Sequence, residues 1–395
     1  MITASVRGPL FTKPSTRALI LWGTLAALNL AAGVVVSSQT HRLYDLESMM
    51  RWGRYWLVEG ANLYEPGLWE SVDYPPNAVV LLSPLGLLPI EAAHPIWLCL
   101  NVGMAILAPY CAARFLRPHD PFRVIVLPIL LFLSWGGVRT LTQFTLIALA
   151  CSMAAMMVAT RRPAAGGIWL GLAMMKPQVA VPVVLWIVFT RRWTVVLTSF
   201  AVVAGLVSVF CIRSGARPDW VASRYAETLA VHHTGEAILA GISELRPLIR
   251  QLVRDVSEVD AVALSIALGL LAGICVAGLQ EGSSRTRVLY AAPPLVACWS
   301  LMTFYHLTYG FVILLPVMML LALNDAGRST LRTALFWLLQ LGMMFDVPGL
   351  SRRAGLAGTP LFANVLYHVD RALIIVLFVG LVVLAWREAP ETTGT

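Results

Sequence analysis

Four polar residues stand out in a chain that is otherwise mostly apolar: Asp45, Gln143, Lys176 and His306. A carboxylate can take a proton, an ammonium can hold an anion, an imidazole can do either, and an amide offers both a donor and an acceptor. Lys176 is the only charged residue among the 27 from Ala164 to Thr190. Burying such a charge in hydrocarbon costs about 2.5–3.5 kcal/mol on insertion scales, so its ammonium is expected either to reach an anion or to snorkel to an interface. Pro177 follows directly and interrupts the helix, freeing backbone groups of the kind used to build sites inside membrane proteins. His306 lies in a run of 33 residues, Ala291 to Leu323, without Asp, Glu, Lys or Arg. There it reads either as a hydrogen-bonded structural residue or as a functional one. Gln143, in Thr142-Gln143-Phe144-Thr145, is a polar opening to an apolar helix, and interhelical bonding is as good a reading as ligand contact. Asp370-Arg371 reads as a membrane-edge pair or as part of a cavity lining.

Asp45 heads the segment that follows the first apolar span. Beyond it Leu46, Met49, Met50, Gly53, Trp56 and Leu57 recur at helical spacing, while Glu47, Arg51 and Arg54 take the other side. A helix with that stripe, rich in Trp and Tyr, is expected to lie flat at the outer membrane interface. Asp45 then stands at its start, either capping orphan N–H groups or free for chemistry.

The solvent of these elements is lipid. Hydrophobic residues make up 58% of the 395 and charged residues only 13%, about half the charged share of a soluble protein. Ala18 to Val36 runs without a charge, as do residues 193–212 and 261–280, and 19 residues at about 1.5 Å each span about 28 Å of bilayer. Repeated spans downstream favour a retained first anchor over a cleaved signal peptide. The net charge of +8 is spread in short clusters between spans, which is a topology signal and not a nucleic-acid groove. The six cysteines form no CxxC pair and read as small buried hydrophobes, with neither disulfides nor zinc expected.

Basic clusters at Arg7/Lys13/Arg17, Arg191/Arg192, Arg285/Arg287 and Arg328/Arg332 place those ends, and the N-terminus, on the cytoplasmic side. Residues 38–76 and 213–258 are then two external loops within one integral-membrane domain spanning 1–395. Five apolar segments lie between 77 and 190. If all cross, the count reaches about twelve, but Arg114, Arg117, Arg123 and Arg161/Arg162 then fall outside, against the usual bias. A re-entrant 77–92 and a hairpin broken at Lys176-Pro177 would restore it, and sequence does not choose. No inverted duplication of the kind transporters carry is visible, although a lipid or sugar transporter or flippase stays open as the alternative class.

Asp45, Gly60-x-x-Leu63-Tyr64, Tyr74-Pro75-Pro76, Ser83-Pro84, Leu88-Pro89, Gln143, Gly171, Lys176-Pro177, Arg191-Arg192-Trp193 and His306 before Leu315-Pro316, taken in order, resemble glycosyltransferase family 87. Thr142-Gln143-Phe144-Thr145 departs from the family's usual Gly-Gln-x-Asn, which bears on the substrate if that stretch touches sugar. The resemblance implies an all-α polytopic GT-C fold of about twelve transmembrane helices and a polyprenol-phosphate-mannose-dependent transferase of the cell membrane with its site on the extracytoplasmic face. It implies inversion, with Asp45 as the base that takes the acceptor's proton. The lipid phosphate leaving group calls for cations and hydrogen-bond donors: Lys176 and His306 first, Gln143 beside them, Arg42 and Arg246 as weaker candidates. No cofactor is implied. Asp45 has no Asp-x-Asp neighbour and Glu47 is the nearest carboxylate, so transfer is expected to be metal-independent. The partners implied are a polyprenyl-phosphate sugar donor, a glycolipid or glycan acceptor, and the bilayer, with no nucleic acid. Sugar identity, acceptor and linkage stay open.

Overall fold

The computed structural model describes residues 15–37, 44–67, 72–116, 121–135, 141, 143–232, 245, 249, 256–279, 285–303, 308–323, 329–345, 347–356, 358–361 and 365–387. Among the described residues every regular element is a helix. Four of these are long and apolar enough to cross a membrane: Thr16–Val36, Ile90–Leu116, Trp193–Ser214 and Leu366–Leu384. The protein is accordingly an all-helical membrane protein. On the third of these helices Leu197, Phe200 and Ile212 are 68%, 72% and 82% exposed, an apolar face that lipid accommodates and water does not.

In chain order the first elements are α1 (Thr16–Ser37), α2 (Tyr44–Arg54), α3 (Pro76–Leu82) and α4 (Ile90–Leu116). A five-residue π turn, Tyr55–Glu59, extends α2, and a 3-10 turn, Ser83–Leu87, extends α3. At seven residues α3 rises only about 10 Å, so the stretch 77–92 is not one crossing helix. There follow α5 (Phe122–Leu133), α6 (Thr145–Val158), α7 (Pro163–Ala173), α8 (Pro177–Phe189), α9 (Trp193–Ser214) and α10 (Pro218–His232). The apolar stretch 164–190 is thus two helices of 11 and 13 residues, broken where Lys176-Pro177 stands, as one of the two sequence readings has it. The remaining helices are α11 (Val256–Leu279), α12 (Arg285–Thr303), α13 (Leu315–Leu323), α14 (Thr330–Phe345), α15 (Val347–Arg353) and α16 (Val369–Arg387).

At the centre of the bundle lies α6, buried continuously from Thr145 to Met156, as befits a helix that is apolar all round. It packs between α4, α7 and α8. The α7–α9 seam is close because of Gly171: a Cβ there would stand 2.6 Å from Val202 Cβ, the small-residue approach by which membrane helices associate.

The apolar stripe of α2 turns toward the protein. Leu46, Met49, Met50, Trp52 and Trp56 are buried while Glu47, Arg51 and Arg54 are exposed. Against that stripe lies the 3-10 turn, at a distance only glycine permits. A Cβ on Gly53 would meet Ser83 Cα at 2.7 Å, and one on Gly86 would collide with the Met50 carbonyl oxygen and the Arg54 nitrogen. Gly86→Ala is therefore expected to push α2 off its seat and to cost about 1–3 kcal/mol, the range for overpacking. A lowered melting temperature in detergent would show it; an unchanged one would mean that α2 does not rest on this turn.

Candidate active site

Local sequence explains how the segment after α2 is held. Gly60 ends the π turn with φ +69°, a left-handed conformation suited to glycine. Its N–H bonds the Trp56 carbonyl at 3.1 Å. Asn62 Oδ1 accepts the Tyr64 N–H at 3.3 Å, turning the chain. Tyr64 is buried, and its hydroxyl donates to the Tyr74 carbonyl at 2.6 Å. Burial pushes this phenol well above its ordinary range, with Tyr225 and Asp73 adding to the effect, so it remains a donor. Pro75 is extended and Pro76 opens α3, as proline at a first helical position does. The Gly60-x-x-Leu63-Tyr64 and Tyr74-Pro75-Pro76 motifs are thus two halves of one brace.

The brace presents the Tyr74 ring to the interior, where it meets the Phe144 ring edge-on at 5.1 Å; Phe144 in turn packs on Trp97 at 4.7 Å. The Lys176 ammonium stands 5.7 Å from the Tyr74 ring centroid, within cation–π range. Lys176 is the N-cap of α8, directly before Pro177. It is 4% exposed, and its Nζ donates to Thr145 Oγ1 at 2.8 Å. The start of α8 is itself pinned by Ser300 of α12, whose hydroxyl donates to the Gln178 carbonyl at 3.1 Å.

Asp45, in the first turn of α2, comes to the same place. Its partly exposed carboxylate accepts a hydrogen bond from the Gln143 side chain and feels the charge of Lys176. Burial raises its pKa above the ordinary carboxylate range, and the Lys176 charge and the Gln143 bond pull the other way. The far end of the Gln143 amide, Oε1, is buried without a protein partner, a state that costs about 1–3 kcal/mol. The beginnings of α2, α6 and α8 thus meet around one carboxylate and one ammonium. Their partial positive ends favour an anion there.

The structure therefore brings together Asp45, Gln143 and Lys176. His306, Arg42 and Arg246 lie outside the described residues. Asp370 and Arg371 are both buried; Arg371 bonds the Tyr367 carbonyl at 3.2 Å and stacks 4.4 Å from its ring. Two further residues belong to the site that sequence reasoning did not pick out. Asp73, exposed beside Tyr74, is a second carboxylate whose charge acts on Lys176 and on the Tyr64 and Tyr225 hydroxyls. Its signal was its place immediately before the Tyr-Pro-Pro motif. Thr145, buried completely, is the other.

The end of α9 closes one side. Trp56 Nε1 donates to the Phe210 carbonyl at 3.2 Å and its ring stacks on Phe210 at 5.8 Å. Arg213 donates to the carbonyls of Leu57, at 3.0 Å, and Val58, at 2.8 Å. Tyr225 of α10 meets Tyr64 edge-on at 6.2 Å.

A carboxylate with raised basicity, an ammonium held apart from water and an amide with a spare acceptor can together deprotonate a hydroxyl and hold an anionic leaving group. The family model of glycosyltransferase family 87 matches residues 73–292, which includes Asp73, Tyr74, Gln143, Thr145 and Lys176; Asp45 and His306 fall on either side of the match. A comparison with curated proteins and another with solved structures each gave no match. With its match covering more than half of the sequence, from the brace through the broken helix that carries Lys176, the chain belongs to glycosyltransferase family 87 and is a membrane glycosyltransferase.

Proposed function

We propose that the protein transfers a hexose, mannose in the first instance, from a polyprenyl-phosphate donor to an acceptor hydroxyl on the extracytoplasmic face of the cell membrane. One observation carries the reading: Asp45 and Lys176, far apart in sequence, stand at the starts of α2 and α8 close enough for the charge of one to act on the other, with the Gln143 side chain bonding Asp45. In this scheme the acceptor oxygen forms a bond to the anomeric carbon from the face opposite the phosphate. The bond from that carbon to the phosphate oxygen breaks, its electron pair stays on the phosphate, and the acceptor proton passes to Asp45. Configuration inverts. Lys176 offsets the charge that grows on the departing phosphate, and the spare Gln143 oxygen accepts from a sugar hydroxyl. The lipid tail remains among the helices; drawing it into water would cost about 0.8 kcal/mol per CH₂.

The architecture that goes with this is a GT-C fold of about twelve spans, with α2 along the outer interface and residues 38–76 and 213–258 as external loops. A metal is not required, because Lys176 supplies positive charge beside Asp45 and Asp73. The test is transfer of labelled mannose in membranes containing the protein. Label is expected to move from polyprenyl-phosphate mannose and not from a nucleotide sugar, and to keep moving in excess EDTA. Transfer only from the nucleotide sugar would overturn the donor class, chelator-sensitive transfer restored by manganese would overturn metal independence, and substrate flux without transfer would favour a transporter.

A further inference from the structure

The turn Gln143-Phe144-Thr145 serves two charged groups of the site, Asp45 and Lys176. Gln143 bonds the Asp45 carboxylate, and two residues on Thr145 Oγ1 accepts from Lys176 Nζ at 2.8 Å. Between them Phe144, fully buried, is wedged between the rings of Tyr74 and Trp97 at 5.1 and 4.7 Å. Thr145 begins α6, the most buried helix of the bundle, and is itself 0% exposed. Its hydroxyl is therefore fixed in space by elements that do not depend on Lys176. A lysine stem has four rotatable bonds, so a fixed acceptor at its tip selects one position from many.

We propose that Thr145 is a positioning residue for the transfer reaction: its hydroxyl sets where the Lys176 ammonium stands relative to Asp45, and with that the affinity of the site for the donor's lipid-linked phosphate. The proposal rests on the polyprenyl-phosphate reading above. It also gives a physical meaning to part of this chain's departure from the Gly-Gln-x-Asn pattern, since one of the two divergent residues, Thr145, accepts from the cation. Charge-assisted hydrogen bonds of this kind are stronger than neutral ones, and losing this one removes one of the constraints on where the ammonium stands.

The experiment compares wild type, T145V and T145S in lipid nanodiscs. Valine keeps the shape and removes the acceptor; serine keeps the acceptor. With undecaprenyl phosphate as the probe, T145V is expected to bind roughly ten-fold or more weakly, and T145S to stay within about three-fold of wild type, as the loss or retention of one charged hydrogen bond dictates. In the transfer assay T145V should raise the donor KM and leave the acceptor KM alone, a split that simple loosening of α6 would not give. Wild-type affinity in T145V, or equal weakening in T145S and T145V, would overturn the assignment of Thr145 alone. Wild type that binds no undecaprenyl phosphate would overturn the donor class and this inference with it. If T145V fails to fold, T145A against T145S makes the same comparison.

Discussion

Asp45→Asn is expected to lower kcat/KM for sugar transfer by about 10²–10⁴-fold, the range for removing a positioned base, with little change in melting temperature. The amide keeps the size of the carboxylate and still offers Gln143 an acceptor, so the loss would report chemistry and not folding. The pH profile gives a second readout. Only the ionised carboxylate takes a proton, and burial holds Asp45 above the ordinary carboxylate range. The acid limb of wild-type kcat/KM should therefore lie at higher pH than that of a free aspartate, with activity rising as pH increases through it and falling as pH drops below it. In the asparagine variant's residual activity this limb should vanish. Equal rates in the two proteins would remove Asp45 from the mechanism.

Lys176→Met should be nearly as severe, with donor-dependent kcat/KM falling by about 10²–10³-fold, the loss typical of deleting one group aimed at developing negative charge. Methionine fills most of the same apolar channel, so the helix break at Pro177 should survive. Arginine should not restore activity: at a residue only 4% exposed whose Nζ donates to the Thr145 hydroxyl, a broad planar guanidinium has neither the room nor the point-like geometry. Single-turnover kinetics with saturating acceptor is the measurement. A wild-type rate in the methionine variant would assign Lys176 to structure.

Much of this site follows from local rules. The stripe on α2, the interruption at Lys176-Pro177 and the polar opening of α6 at Gln143 each depend on residues a few positions apart, and periodicity or proline chemistry exposes them. What local rules do not reach is pairing across the bundle. Thr145 is 31 positions from the lysine it holds, and nothing in the neighbourhood of either names the other. Asp73 is exposed and stands in a loop, so it carries no burial penalty that would flag it; its nearness to Lys176 emerges only once Tyr64 holds the Tyr74 carbonyl and the Tyr74 ring comes beside the Lys176 ammonium. What covers the apolar stripe of α2 is a question of the same kind. An apolar stripe states that something apolar covers it, and here Gly53 and Gly86 let the chain's own 3-10 turn do so. Among the described residues four helices are long and apolar enough to cross, while α7 and α8 are short and divided at Lys176-Pro177.

The clasp of Trp56 on the Phe210 carbonyl and of Arg213 on the Leu57 and Val58 carbonyls also bears on local motion. A strap fastened to the tip of α9 cannot hinge at its midpoint. Opening of this region must carry the π turn and the α9 tip as a single block. Amide hydrogen exchange would register this as matched protection over residues 55–60 and 208–214, two peptides without sequence adjacency that share one opening rate.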